Sequence, residues 1–199
     1  MLETDRLDYL ELFRDCCRDY LVRIVAFCLM TNHVHYVAIP ERMDSVHRAF
    51  HRLNGAHSQR FNRKCGFVGH LWQERPFSCV LDESHLLNAV RYVEQNPLRA
   101  WMVAHADDYR WSSAPAHCTG SEDPFLDVEA TPFAIPNWKA WLNAGMDMEA
   151  DQFIRECTAT GRPCGDEEFV KRMELENNRD FTRKKPGPKP KAKDEEPML

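Results

Sequence analysis

Long apolar runs are missing from this 199-residue sequence. No stretch approaches the roughly 20 consecutive apolar residues that a helix needs to cross a bilayer, which argues against a membrane-spanning protein. The opening segment 1–8 is polar and acidic and lacks the apolar core of a secretory signal. We therefore expect a cytoplasmic protein with no membrane partner. Apolar residues still make up 43% of the chain, enough for the core of one ordinary domain with an appendage.

A Cys-x-x-Cys motif is also absent, although the chain has eight cysteines. Cys28 and Cys79 lie in apolar, strand-like runs, where a thiol packs as a small core residue. Cys157 and Cys164 are too isolated to indicate a zinc site. In a reducing compartment this pattern favours free thiols over disulfides or a structural metal.

The net charge of −5 gives little overall attraction for nucleic acid, but the positive charges are clustered. Between Arg42 and Arg75 the chain has seven Lys or Arg and two acidic residues. Between Arg183 and Lys193 it has six Lys or Arg and no acid. Because local patches attract a polyanion whatever the net charge, the sequence leaves nucleic-acid binding open.

The hydrophobic periodicity predicts a mixed α and β domain in the first part of the chain. It indicates helices over 5–20, 44–64 and 85–95, and strands over 21–30, 34–39 and 76–81. Thr31-Asn32 is the turn that joins the first two strands into an antiparallel hairpin. The helix over 44–64 has a basic solvent face and a disturbance at Gly55. Asn96-Pro97 ends the third helix, because a residue before proline leaves the α region.

The pattern changes after Trp111, where prolines at positions 115, 124, 132 and 136 indicate a boundary. Beyond it we predict three short helices, over 137–144, 149–157 and 166–176. The prolines and lysines of 183–193 cannot bury a core, so that stretch should be disordered. The predicted organisation is a domain over 1–120, a helical region over 121–180 and a basic tail over 181–199.

The pair His33 and His35 is the first candidate site. Side chains alternate along a strand, so two histidines separated by Val34 lie on one face. They offer two neutral nitrogen ligands to one divalent metal ion. A pair of hydrogen-bonded or surface histidines is the alternative interpretation of so short a motif.

Tyr92 and Asn96 form the second candidate. They are four residues apart, hence neighbours on one helix face. A tyrosine hydroxyl is a poor nucleophile at its ordinary pKa of about 10, but a metal-polarised phosphodiester offsets much of that deficit. Asn96 would supply an oxygen as the third metal ligand. In the alternative interpretation Tyr92 only packs and Asn96 only caps the helix.

Four stretches together carry a family resemblance: FCLMTNHVHYVAIP, LNGAHSQRFNRKCGFVGHLWQERPFSCVL, LLNAVRYVEQNPLRAWMV and DDYRWSSAPAHCTG. In order and spacing they resemble the REP-associated tyrosine transposases, which belong to the IS200-like branch of the HUH single-strand nucleases. The resemblance covers roughly residues 5 to 120. The stretches GRPCGDEEFVKRMELE and KKPGPKPK are more weakly similar to that group's C-terminal region.

The resemblance implies a fold, a reaction and a role for each candidate residue. The fold is α+β, a ferredoxin-like antiparallel sheet with helices packed on it. His33 and His35 match the pair that binds Mg²⁺ or Mn²⁺, and Asn96 matches the polar residue that completes the metal site. Tyr92 matches the catalytic tyrosine, which becomes linked to the 5′ side of a broken DNA strand and leaves a free 3′-hydroxyl. The implied partner is single-stranded DNA with a REP-like hairpin.

Candidate DNA contacts follow from the basic residues. Those predicted to track phosphates are Arg48, Arg52, Arg60, Arg63, Lys64, Arg75, Arg99, Lys184 and Lys185. A solvated arginine is the alternative for Arg99, and a merely solubilising tail is the alternative for the last two. Trp72 either stacks a base or fills the core, whereas Trp101 and Trp111 are predicted to be core residues.

One departure from the family pattern bears on activity. Family members begin with a strand before the first helix, and here the first helix follows Met1 almost directly. We therefore expect either an active transposase with a displaced start, or a catalytically impaired DNA-binding remnant. A metal-dependent hydrolase unrelated to DNA is a third alternative, but it leaves the arginine-rich helix unexplained.

Overall fold

A computed structural model describes residues 2–73, 75–127 and 135–181 of the chain. These residues form an α+β fold, as predicted, with a two-stranded antiparallel sheet and helices on both of its faces. The strands are β1 (Val22–Leu29) and β2 (Val34–Pro40). The helices are α1 (Glu3–Asp19), α2 (Ser45–Cys65), α3 (Glu83–Glu94), α4 (Asn96–Arg99), α5 (Ala114–Thr119), α6 (Trp138–Asn143), α7 (Met148–Thr160) and α8 (Glu167–Asn177). None of the described helices combines the length and apolarity needed to cross a bilayer.

The hairpin of β1 and β2 is confirmed. Its register pairs Leu29 with Val34 and Cys28 with His35, so Thr31-Asn32 falls in the connecting turn. The backbone N–H of Met30 donates to the carbonyl of His33 at 2.9 Å and closes that turn. Neighbouring residues of β2 therefore face opposite sides of the sheet.

One face of the hairpin packs on α1 and α2 through aromatic side chains. Phe13 stacks on Tyr36 with ring centroids 4.5 Å apart, and Phe50 lies 5.0 Å from the same ring. The Tyr36 hydroxyl donates to the Tyr9 oxygen at 2.7 Å, which satisfies both groups inside the core. The predicted helix over 44–64 is α2, and Gly55 does not interrupt it.

The other face of the hairpin packs on α3, whose Val90 and Val93 are buried. The fully buried Glu94 carboxylate fixes this helix to later parts of the chain. It accepts hydrogen bonds from Ser113 Oγ at 2.5 Å and Trp138 Nε1 at 2.9 Å, and it lies 2.6 Å from His117 Nδ1. These bonds tie α3 to α5 and α6.

The two edges of the sheet differ. Leu29 N–H donates to the carbonyl of Trp111 at 2.8 Å, and Ser113 N–H donates to that of Phe27 at 3.0 Å, so segment 111–113 covers the outer edge of β1. Within the described part of the chain, no backbone hydrogen bond joins the outer edge of β2 to another segment.

The predicted third strand over 76–81 is wrong. Cys164 N–H donates to the Val80 carbonyl at 2.8 Å, and Asp82 N–H donates to the Cys164 carbonyl at 3.1 Å. Leu81 forms a single isolated bridge with Cys164. Part of this segment's backbone therefore forms hydrogen bonds with the region between α7 and α8 rather than with the sheet.

The predicted end of the third helix is confirmed: α3 ends at Glu94, within one residue of the predicted end, and the short helix α4 begins at Asn96, with Pro97 near its start. One further prediction needs correction. Trp101 is not a core residue, because it is 93% exposed and its backbone has a φ of 56°. Trp111 is buried, as predicted.

The half-buried Trp72 is held by internal contacts. Its Nε1 donates to the Asn54 carbonyl at 3.3 Å, and its ring lies 6.2 Å from that of Tyr9. These contacts favour the core interpretation of this residue.

The three predicted short helices correspond to α6, α7 and α8, and their ends agree with the predicted ranges to within three residues. Most of the predicted basic tail, including Lys184 and Lys185, lies outside the described residues.

Candidate active site

The two histidines meet where β2 begins. His35 is in the strand and His33 directly precedes it, with ring centroids 4.8 Å apart and planes almost perpendicular. Since Tyr36 faces α1, strand alternation turns His35 toward α3. Its ring lies edge-on to Tyr92, with centroids 5.8 Å apart. The fold thus brings the two sequence-predicted motifs into contact.

Both histidines are kept neutral by their surroundings. Burial lowers the pKa of His35 to about 4, and the charges of His33, Arg99 and Arg155 contribute. Burial also lowers the pKa of His33, whose Nδ1 lies 2.7 Å from Asn32 Oδ1. A neutral imidazole is the form that binds a metal ion.

His35 also has an unused nitrogen. Its Nε2 is buried and has no hydrogen-bond partner among the described residues. A buried polar atom without a partner costs free energy. A metal ion bound at this nitrogen would satisfy it.

Asn96 is the first residue of α4 and is 8% exposed. Its Nδ2 donates to the backbone carbonyls of Tyr92 at 3.0 Å and Val93 at 3.4 Å, as the capping interpretation requires. These bonds use the amide nitrogen and leave the amide oxygen as the atom that a cation would bind.

The residues present fit a small, hard or borderline cation. The donor set would be two imidazole nitrogens and one amide oxygen, a mixture that suits Mn²⁺ or Mg²⁺ with water completing the sphere. In residues 2–73, 75–127 and 135–181, no group of three or more His, Cys, Asp or Glu side chains is arranged to hold a metal ion. The third ligand expected from the sequence is the amide oxygen of Asn96, which does not belong to those residue types.

One side chain of α7 contacts Tyr92, and a second contacts Arg99, which lies over the Tyr92 ring. Arg155 Nε lies 3.4 Å from the Tyr92 hydroxyl oxygen. Asp151 Oδ2 accepts from Arg99 Nη1 at 2.9 Å, in an ion pair whose side chains are 6% and 9% exposed respectively. The sequence places Asp151 and Arg155 four apart in a predicted helix, but nothing in it indicates which surface that helix covers.

Arg99 is therefore engaged within the chain. Its guanidinium lies over the Tyr92 ring, 4.2 Å from the centroid, and donates to the Tyr92 backbone carbonyl. Burial lowers the pKa of this guanidinium, and Asp151 opposes that shift. A phosphate contact by Arg99 would compete with the ion pair.

The basic residues of α2 divide into two groups. Three have acidic partners: Arg48 with Asp44 at 3.3 Å, Arg52 with Asp19 at 3.6 Å, and Lys64 with Asp5 at 2.5 Å. Arg60, Arg63 and, beyond the helix, Arg75 are exposed, and no ion pair joins them to another described side chain. The second group is the more available to a polyanion.

The chain is similar to a known protein family and to a solved structure. Residues 2–96 match the family model described as "Transposase IS200 like". The solved structure of a REP-associated tyrosine transposase bound to a REP hairpin matches with a TM-score of 0.50 and 20% sequence identity, over 67% of this chain and 79% of that one. At that identity the match establishes the fold alone. No curated protein sequence matches the chain.

Proposed function

Residues 2–96 match the family model of the IS200-like transposases, and from this match we propose that the protein nicks and rejoins single-stranded DNA through a covalent 5′-phosphotyrosine at Tyr92. The single observation that carries the proposal is the unpartnered His35 Nε2, in a ring 5.8 Å from that of Tyr92. A nitrogen that can bind a cation thus lies close to the tyrosine whose hydroxyl would attack the DNA phosphate.

In the proposed step, the Tyr92 oxygen attacks phosphorus, the bond from phosphorus to the 3′ oxygen breaks, and that oxygen leaves as a 3′-hydroxyl. His33, His35 and Asn96 would hold a Mg²⁺ or Mn²⁺ ion, which supplies Lewis-acid polarisation of the phosphate when bound. Asn96 also fixes the end of α3 through the Tyr92 carbonyl, so it orients the nucleophile itself. Rejoining is the reverse attack by a 3′-hydroxyl on the phosphotyrosine.

The proposed substrate is single-stranded DNA beside a hairpin, because the structural relative is bound to a REP hairpin. Arg60, Arg63 and Arg75 are the first candidates for phosphate contacts, since none has an acidic partner among the described side chains. Arg48, Arg52 and Lys64 would have to exchange an internal ion pair for a phosphate. Lys184 and Lys185 are proposed to add non-specific attraction from the tail.

The test is formation of a denaturation-resistant adduct between the protein and a labelled, hairpin-flanked single strand in Mn²⁺ or Mg²⁺. We expect an adduct in the wild type, none in Tyr92→Phe and none with a chelator. The label should stay with the protein only when it lies 3′ of the nick. A wild-type protein that binds such strands and forms no adduct with any of them would overturn the proposal.

The outer edge of β2, which has no backbone partner in residues 2–73, 75–127 and 135–181, favours a second candidate, a DNA-binding remnant that no longer cleaves. A sheet of two strands holds the histidines less firmly than a wider one would. This candidate predicts salt-sensitive DNA binding that is unchanged in His33→Ala and Tyr92→Phe, without an adduct.

A further inference from the structure

Helix α7 begins at Met148, well beyond the family-matched residues 2–96, yet it contacts the nucleophile in two ways. Asp151 holds Arg99, which covers the Tyr92 ring and donates to its carbonyl. One turn further along the same face, the Arg155 guanidinium approaches the hydroxyl itself, with Nε 3.4 Å from the oxygen.

We propose that Arg155 is a further catalytic residue, which stabilises the Tyr92 oxygen and the attacked phosphate as negative charge develops between them. This inference rests on the proposed function, because it assigns a role in that same reaction. It extends the active site from the family-matched domain into the helical region that follows.

The two arginines beside Tyr92 have different environments. Arg99 has an exposed fraction of 9% and an ion pair with Asp151, so its charge is already compensated. Arg155 is exposed, and no ion pair joins it to a described carboxylate. Its neighbour Glu156 accepts instead from Gln152 at 2.8 Å. Arg99 is therefore a positioning residue, whereas Arg155 keeps a positive charge for an incoming anion.

The Arg155 guanidinium can stabilise negative charge on two oxygens at once. A guanidinium has five N–H donors in a planar fork, so Nε can serve the tyrosine oxygen while the terminal nitrogens serve a non-bridging phosphate oxygen. The bond from the Tyr92 oxygen to phosphorus forms as the bond to the 3′ oxygen breaks. The phenol proton passes to solvent and the leaving 3′ oxygen takes a proton from solvent. Arg155 stays protonated throughout and exchanges none.

The first test measures single-turnover adduct formation at saturating DNA for Arg155→Met and Arg155→Lys. Arg172→Met on α8 is the matched control, since its guanidinium lies over Phe169. We expect Arg155→Met to lose about 100-fold in rate, as when one transition-state donor is removed. Arg155→Lys should recover part of the loss, and added guanidinium ion should partly rescue Arg155→Met. The control should equal the wild type.

DNA affinity separates a catalytic role from a binding role. Measured in the Tyr92→Phe background, removal of Arg155 should weaken binding by less than about fivefold, the range of one exposed charge contact. A rate equal to wild type in Arg155→Met, or a loss of affinity as large as the loss of rate, would overturn the inference. Circular dichroism and thermal unfolding establish that each variant folds.

A second test needs no DNA and therefore separates this inference from the proposed function. N-acetylimidazole acetylates tyrosine oxygens, and peptide mass spectrometry gives the rate at Tyr92 with Tyr20 as the internal reference. Acetylation of Tyr92 should be several-fold slower in Arg155→Met and close to wild type in Arg155→Lys and Arg172→Met. Equal rates in all four proteins would overturn the role of Arg155. A dependence on Arg155 without any DNA adduct would support that role and reject the transposase reaction.

Discussion

Each face of the hairpin has tyrosines and a histidine with a buried Nε2, but the proposed chemistry uses only one face. On the α1–α2 face, the Tyr36 and Tyr9 hydroxyls satisfy each other, and burial raises the pKa of both. On the α3 face, Tyr92 is half-buried between two arginines and next to His35. Proximity to cations and partial access, rather than residue type, distinguish the proposed nucleophile Tyr92 from the two tyrosines of the other face.

The histidines show the same contrast. His57 and His35 both have a buried Nε2 without a hydrogen-bond partner in the described part of the chain, and burial lowers the pKa of both. His57 lies between the rings of Tyr9 and Trp72, whereas His35 has a second imidazole 4.8 Å away. A second imidazole beside the buried nitrogen is what makes His35, and not His57, the candidate metal ligand.

The largest expected effect is on the rate of adduct formation, compared between two variants that each lose one tyrosine hydroxyl, one on either face of the hairpin. Tyr92→Phe should abolish the covalent adduct, since no other oxygen occupies its position. Tyr36→Phe should form the adduct at a rate close to wild type, because its hydroxyl faces α1. Adduct loss in Tyr36→Phe at a temperature where the variant is folded would break the comparison.

The buried ion pair of the α3 face should carry a large share of local stability. Asp151→Ala leaves the Arg99 charge buried and unpaired, and we expect a loss of about 3–5 kcal/mol in the free energy of unfolding. Urea denaturation measures it. The double variant Asp151→Leu with Arg99→Met should recover most of the loss. Glu167→Ala, which breaks the exposed Lys171 pair, is the control and should change stability by less than about 1 kcal/mol.

The metal dependence of adduct formation should change only when the histidine on the α3 face of the hairpin is replaced. In a Mn²⁺ titration of adduct formation, His35→Gln should reduce the rate by about a thousandfold, the loss of several kcal/mol expected when metal polarisation is removed. His57→Gln on the opposite face should keep the wild-type metal dependence. Equal responses of the two variants to Mn²⁺ would contradict the assignment of the site.

The pH dependence of stability should also report His35. Its folded-state pKa is about 4 and its ordinary value is 6.5, so the unfolded chain binds more protons between those values. The free energy of unfolding should therefore be unaffected above pH 6.5 and fall as the pH drops toward 4, by up to about 3 kcal/mol. Urea denaturation in the presence of a chelator measures this difference. A wild-type slope that persists in His35→Gln would contradict the prediction.

The smallest expected effect is on the free energy of unfolding. Tyr36→Phe removes the donor to the Tyr9 oxygen and should lower the free energy of unfolding by about 1 kcal/mol, the usual net value of one hydrogen bond. Urea denaturation at neutral pH measures it. Tyr92→Phe, whose hydroxyl has only the long contact with Arg155, should change stability less. The reverse order would show that the α3 face depends on its phenol for folding.

The hairpin, α1, α2 and α3 could be predicted from the sequence because each has a local pattern: apolar spacing, a short turn or a capping residue. The proximity of His33 to His35 and of Tyr92 to Asn96 could be predicted for the same reason, since each pair is close in sequence; their role in a site stays a prediction. Segment 76–81 was not predictable in this way. Its apolar residues fit a strand, but their hydrogen-bond partner, Cys164, is more than 80 residues away.

Asp151 and Arg155 show the same limit at the site. An acidic and a basic residue four apart in a short helix ordinarily form a solvated surface. Their role depends on α7 packing against α3, a long-range contact that no local pattern encodes. Trp101 is the opposite case, a large apolar side chain that the left-handed backbone after α4 carries into solvent.

The hydrogen bonds at Glu94 have a kinetic consequence for Tyr92, two residues earlier. Because that carboxylate joins α3 to α5 and α6 inside the core, the helix cannot open without breaking three contacts at once. The amide protons around Tyr92 should therefore exchange with solvent deuterium no faster than the whole domain unfolds. The proposed nucleophile should thus belong to the slowest-exchanging unit of the protein, and a bound DNA backbone would have to adapt to a tyrosine on a helix that opens only with the whole domain.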